Sequence, residues 1–120
     1  MNTHRLGDEG EDFTCEYITC MGMKIVARNY RFGREEIDII ARDGKTCVFI
    51  EVKARNADLH GLPAEAVTPF KQRAIARTAL AYLKTHALLD CPVRFDVAAI
   101  YQGKMNYIKN AFDTTGILRW

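Results

Sequence analysis

The sequence predicts an α/β fold: a mixed sheet of about five strands flanked by helices, in the order α-β-β-β-α-β-β. Three observations lead there. Residues 35–55 alternate apolar and polar side chains on either side of Asp43-Gly44, the pattern of two strands joined by a tight turn. Two longer stretches, 8–21 and 68–86, repeat apolar residues at the helical period. Residues 93–101 and 105–109 then read as a mostly buried strand and a returning one.

The totals set the outer limits. One hundred and twenty residues suit one domain, 1–120, and 48% hydrophobic content supplies a core. No apolar run approaches the roughly 18–20 residues that span a membrane. The N-terminus turns acidic at once and has no signal-peptide core, so the expected location is the cytoplasm. A net charge of +2 neither demands nor excludes a nucleic-acid partner. Cys15, Cys20, Cys47 and Cys91 form no C-x-x-C, and His4, His60 and His86 lie near none of them in sequence. Reduced, mostly buried thiols are expected rather than zinc ligands.

Residues 1–6 read as a frayed tail. From about Asp8 to Met21, Phe13, Tyr17 and Cys20 fall at i, i+4 and i+7, with Ile18 and Met21 alongside. Asp8, Glu9, Glu11 and Asp12 crowd the first turns, where the helix dipole favours negative charge. Gly22 fits the position after the helix end. Lys24–Arg31 alternates as a first strand, and Phe32-Gly33-Arg34 turns it into the hairpin. Arg28, Arg31 and Arg34 come close to the carboxylate strand, either to meet phosphates through the guanidinium fork or to balance the acids.

The hairpin carries the chemistry. A two-residue turn sets Glu36 opposite Glu51 and Asp38 opposite Phe49; a four-residue turn sets Asp38 opposite Glu51. Either register leaves Asp38, Glu51 and Lys53 on one face, with the two carboxylates about 4.5–8 Å apart at Cβ. Ile37, Ile39, Val48, Ile50 and Val52 make the other face apolar. Unpaired buried charges are expensive. A hard divalent cation such as Mg²⁺ would account for them, since it takes oxygen ligands and often only one or two carboxylates. Lys53 would then stand beside the metal, where an amine orients or deprotonates an attacking water. The plain alternative is a surface ion pair of Lys53 with Glu51 or Asp38.

Residues 56–66 read as a loop, with His60 as a solvated side chain or a general base. Thr68-Pro69 offers a capping hydroxyl and a proline at the first helical position. The helix should reach about His86, with Ile75, Ala79, Tyr82 and Leu83 as its apolar stripe, extended by Phe70 and Ala74. Lys71, Arg73, Arg77 and Lys84 lie on its other side, and Lys71 sits in the first turn, where free N–H groups favour phosphate. In the strand Val93–Tyr101, Asp96 is expected in a structural ion pair with Arg94 or a neighbouring arginine. Ala111-Phe112 and Ile117–Trp120 would cover the core or support a dimer.

The pattern Asp38 … Glu51-Val52-Lys53 resembles the active-site signature of the PD-(D/E)xK, or restriction-endonuclease-like, superfamily. Further motifs extend it in order: Gly10-Glu11, Gly22, Arg28-Asn29-Tyr30-Arg31, Glu36–Ala41, Phe49–Arg55, Lys71 and Arg94-Phe95-Asp96-Val97. Over nearly the whole chain this set resembles the YraN-like family of small bacterial proteins, itself similar to archaeal Holliday junction resolvases. Two positions depart from the family pattern. Thr14 stands where a small apolar residue is usual, and Ala54 where a hydroxyl is usual.

The resemblance implies a restriction-endonuclease-like core and a metal-dependent endodeoxyribonuclease, selective for branched DNA, in repair or recombination. Asp38 and Glu51 would hold Mg²⁺ or Mn²⁺ with the carbonyl of Val52, and Glu11 would add an outer contact. Lys53 would orient the water or offset charge on the phosphate. Arg31, Arg34, Arg55 and Lys71 would hold the DNA backbone, and symmetric cutting of a junction would call for a homodimer. The alternative is a nucleic-acid-binding module that keeps the fold without catalysis.

Overall fold

The computed structural model describes the backbone of residues 3–55 and 67–113, with side chains from 8 to 54 and from 67 to 113. The elements are α1 (Thr3–Cys20), β1 (Lys24–Phe32), β2 (Glu35–Asp43), β3 (Thr46–Arg55), α2 (Pro69–Thr85), β4 (Val93–Tyr101) and β5 (Lys104–Ile108). The expected order and fold class hold. The loop 56–66 with His60, the Arg55 side chain and the apolar C-terminal residues 117–120 lie outside the described residues. No helix among the described residues is long and apolar enough to cross a membrane.

The strands lie in sequence order, β1-β2-β3-β4-β5. Three pairs are antiparallel, and β3 with β4 is parallel. A parallel pair needs a long crossover connection, and α2 lies within the segment that makes it. One core holds Ile37, Ile40, Phe49, Phe95 and Val97 with Ile75, Ala79, Tyr82 and Leu83 of α2. The other holds Ile39, Ala41, Val48, Ile50 and Ala98 with Cys15 and Ile18 of α1. The helices therefore cover opposite faces, which explains why β3 and β4 are apolar on both sides.

Helix α1 starts at Thr3, where the sequence suggested a tail. It ends as expected: Gly22 at φ 93° lets Met23 N–H reach the Ile18 carbonyl at 3.0 Å and Gly22 N–H the Thr19 carbonyl at 3.0 Å. Its buried stripe differs from the expected one. Glu11, Thr14, Cys15 and Ile18 face the sheet, while Tyr17, Cys20 and Met21 are exposed. Thr14 can be buried because its hydroxyl donates back to the Gly10 carbonyl at 2.8 Å. In α2, Thr68 caps the Lys71 N–H as predicted, and the apolar stripe holds, except that Phe70 points outward at 69% exposure.

Behind the site, Asp96 is fully buried and paired with Arg94, whose Nε lies 3.0 Å from Oδ1, as the sequence suggested. Tyr107 donates to the same carboxylate at 2.6 Å, and Asn110 N–H at 2.9 Å. Phe112 stacks on Phe95 at 5.1 Å, so this part of the C-terminal segment does cover the core.

Candidate functional site

The site forms where two strands part. The β2–β3 ladder runs from Asp43↔Thr46 to Ile39↔Ile50. One step further would set Asp38 opposite Glu51, the second of the two expected registers, although the loop itself is only Gly44-Lys45. At that level the Asp38 side chain accepts the Val52 N–H at 2.8 Å, so a carboxylate replaces a ladder carbonyl. The strand β3 stays paired with β4 as far as Arg55↔Tyr101. The break shows in the alternation as well. Ile37 joins the α2 core and Ile39 the α1 core, so the single apolar face expected of Ile37, Ile39, Val48, Ile50 and Val52 is split at Asp38.

The neighbouring elements bend to meet this break. In β1, Asn29 adopts φ 54°, a left-handed conformation that asparagine tolerates better than most residues. Its side chain donates to Glu11 Oε1 at 3.0 Å. Glu11 comes from α1, which approaches β3 closely because residue 10 is glycine. A Cβ there would lie 3.0 Å from the Ala54 Cβ and 3.4 Å from Val52 Cγ1.

Glu11, Glu36 and Asp38 each present a carboxylate oxygen, and the three lie within 4.8 Å of one another. Asp38 also neighbours Glu51 closely enough for a shared hydrogen bond when one of the two is protonated. Burial, then the Asp38 charge and that hydrogen bond, push Glu51 up to about 8, and Lys71 and Lys53 offset only part of the shift. Burial and Asp38 also raise Glu11, against the lowering effect of Arg28. Glu51 is 7% exposed, and its buried Oε2 has no hydrogen-bond partner. The Lys71 ammonium, 4.0 Å from that atom, is too distant to donate to it. An all-oxygen donor set with an orphaned buried carboxylate oxygen fits a hard divalent cation such as Mg²⁺ or Mn²⁺.

The expected residues fall into three groups. Asp38 neighbours both Glu11 and Glu51, with Val52 tied to Asp38 through its N–H and Lys53 half-buried two residues along β3. Lys71 reaches this same place from α2. Of the arginines, Arg31 pairs with Glu36 at 3.0 Å while 77% exposed, and Arg34 is exposed in the β1–β2 turn without a partner among the described residues. Arg28 balances acids, at 2.9 Å from Asp12 and 3.5 Å from Glu11. Glu36 is not among the ligands that the sequence motif predicts. Its signal was its place two residues before Asp38 on one strand, which puts both on the same side.

A sequence model of the uncharacterised protein family UPF0102 matches residues 10–100. The chain is similar to UPF0102 proteins of Geotalea uraniireducens (48% identical over 113 residues, covering 90% of this chain and 89% of the relative) and Geobacter sulfurreducens (46% over 113 residues, 90% and 88%). A third, from Prosthecochloris aestuarii, is 52% identical over 99 residues, covering 81% and 76%.

Proposed function

The chain belongs to the UPF0102 family, the YraN-like family its motifs resemble, and on that premise we propose that it is a divalent-cation-dependent deoxyribonuclease of PD-(D/E)xK type. The observation that carries the reading is the convergence of three carboxylates, Glu11, Glu36 and Asp38, where β2 leaves β3, with Glu51, whose buried Oε2 is unpartnered, beside Asp38. Four acids so placed repel one another, and three of them are raised or hydrogen-bonded to compensate. An ion pair network built for stability would have supplied Glu51 with a donor.

Asp38, Glu11 and Glu36 would hold the cation, with Glu51 joining once its proton leaves. The bound cation would polarise a scissile phosphate and make a water acidic enough to attack at neutral pH. The Val52 N–H keeps the Asp38 carboxylate in one orientation. The Asn29 amide does the same for Glu11. Lys53 orients the attacking water or offsets the charge that grows on the phosphate oxygens. Lys71, near Glu51, holds the phosphate from the α2 side. Arg31 near the end of β1 and Arg34 on the β1–β2 turn, with Arg55, meet neighbouring phosphates; such contacts fix the position of DNA without reading its sequence. The substrate is therefore chosen by shape, as a branch, flap or end. Resolution of a four-way junction would take two copies of the chain.

The test is cleavage of end-labelled four-way junction, flap, single strand and linear duplex with Mg²⁺ or Mn²⁺, beside Asp38→Asn and Lys53→Ala. The expected result is cutting of one structure by the wild type and by neither folded variant. Cutting that survives Asp38→Asn would place the chemistry elsewhere. A wild type that binds DNA equally with and without Mg²⁺ and never cuts would leave the non-catalytic binding module.

A further inference from the structure

We propose that the outer face of α2, together with Phe32, seats an unpaired strand of DNA leading away from the carboxylate site. The inference rests on the nuclease reading and names its substrate class: DNA with a single-stranded arm.

The helix is unusual in its charges. Its 17 residues, Pro69–Thr85, carry Lys71, Arg73, Arg77 and Lys84 and no carboxylate. Surface helices commonly gain from opposite charges four residues apart, and like charges at that spacing cost a similar amount. Arg73 and Arg77 stand at that spacing, and neither has a partner among the described residues. A polyanion laid along the face would remove the repulsion.

The aromatics decide which polyanion. Phe70, Arg73, Arg77, Ala81 and Lys84 recur at three- and four-residue spacing and so form one stripe. Phe70 is 69% exposed at the end that carries Lys71, which reaches Glu51. At the other end Phe32, 53% exposed on the edge strand β1, closes a groove of about 390 Å³ with Arg77, Leu80, Ala81, Lys84 and Thr85. Lys71 and Ala81 are about 15 Å apart along the helix axis, at about 1.5 Å per residue. A cationic stripe alone would suit duplex or single strand equally. An exposed ring beside an apolar floor and a cationic rim suits a base that is free to stack, which a paired base is not. The same density of cations makes a poor protein interface, whose centre is depleted of lysine and other charged groups.

The seat is tested by equilibrium anisotropy with the full chain in EDTA, so that no cutting is needed. The probes are labelled oligo(dT) and a hairpin duplex of equal length, each at two salt concentrations. The wild type should bind oligo(dT) more tightly than the duplex. Phe32→Ala should weaken oligo(dT) by about 5- to 150-fold, the loss of one stacked base, and leave the duplex unchanged. Phe32→Trp should restore binding. Arg77→Glu should weaken both probes and flatten the salt dependence for oligo(dT) by at least about 0.7 in the log–log slope. Unaltered oligo(dT) binding by Phe32→Ala overturns the seat, as does tighter binding of the duplex by the wild type. Loss of a dimer in Phe32→Ala with oligo(dT) binding intact assigns the face to a second copy and also overturns it. Tighter binding of oligo(rU) overturns the assignment to DNA. If the wild type cuts nothing yet shows the Phe32 dependence, the seat stands and the nuclease reading falls.

Discussion

The Asp38 carboxylate accepts the backbone N–H of Val52 at 2.8 Å, where the adjacent strand would ordinarily offer a carbonyl. One side chain thus does two things. It satisfies β3 at the point where β2 leaves, and it fixes a negative charge beside Glu51 and within 4.8 Å of Glu11 and Glu36 oxygens. The parting of β2 from β3 and the acidic cluster thus share one side chain.

Substitution separates the two roles. Asp38→Ala removes the acceptor and should cost about 1–3 kcal/mol in EDTA, the usual penalty for a donor left unsatisfied. Asp38→Asn keeps an acceptor oxygen and relieves repulsion, so its stability should stay within about 1 kcal/mol of wild type. Urea unfolding of the two variants measures this. Equal losses would mean that the Val52 contact contributes little.

Glu51 makes stability depend on pH in an unusual direction. Its carboxyl is raised from the ordinary 4.5 to about 8 by burial and by Asp38. The folded chain therefore holds this proton more tightly than the unfolded chain does. Its stabilising contribution is largest near the lower value and is lost as pH rises through about 8. The cation-free protein should weaken across that window, at a slope approaching about 1.4 kcal/mol per pH unit for one proton. Glu51→Gln, which imitates the protonated form, should flatten the profile. Urea midpoints in EDTA at intervals from pH 5 to pH 9 test it; a wild-type profile that rises with pH contradicts it.

Much of this was legible in the sequence, because local rules and tertiary packing agree there. Thr68-Pro69 at the start of α2, Gly22 after α1 and the alternation of β3 each specify their own geometry. The parting of β2 and β3 was not legible, since it depends on one carboxylate substituting for a carbonyl, which no periodicity encodes. Glu36 is a separate case: its place two residues before Asp38 already puts both on one side, and only its nearness to Glu11 depends on the fold. The face of α1 was misjudged because apolar spacing favoured Tyr17 and Cys20. The buried side chains include Glu11 and Thr14, kept there by Asn29 and by the Gly10 carbonyl. Phe70 defeats apolar periodicity in the opposite sense, by standing outside the core.

The approach of α1 to β3 predicts a graded effect at Gly10. Its added Cβ would meet the Ala54 Cβ at 3.0 Å, tighter than ordinary contact, and a Cβ fixed to its own backbone does not yield easily. Gly10→Ala should cost about 1–3 kcal/mol as overpacking. It should also lower cation affinity, because Glu11 is the next residue. Reverting the crowding with Ala54→Gly should recover both. Recovery of stability without recovery of affinity would separate Glu11 from the cation.

The central claim is that these carboxylates form a divalent-cation site. Its most direct test is the thermal midpoint at pH 7.5 in EDTA and then in rising Mn²⁺, for wild type, Glu36→Gln and Glu51→Gln. The wild-type midpoint should climb by mass action, reaching about 2.7 kcal/mol of stabilisation at one hundred times Kd. Glu36→Gln and Glu51→Gln should need more Mn²⁺ for the same rise. A wild-type midpoint that stays flat through millimolar Mn²⁺ would contradict the claim, and so would one that climbs identically in all three proteins.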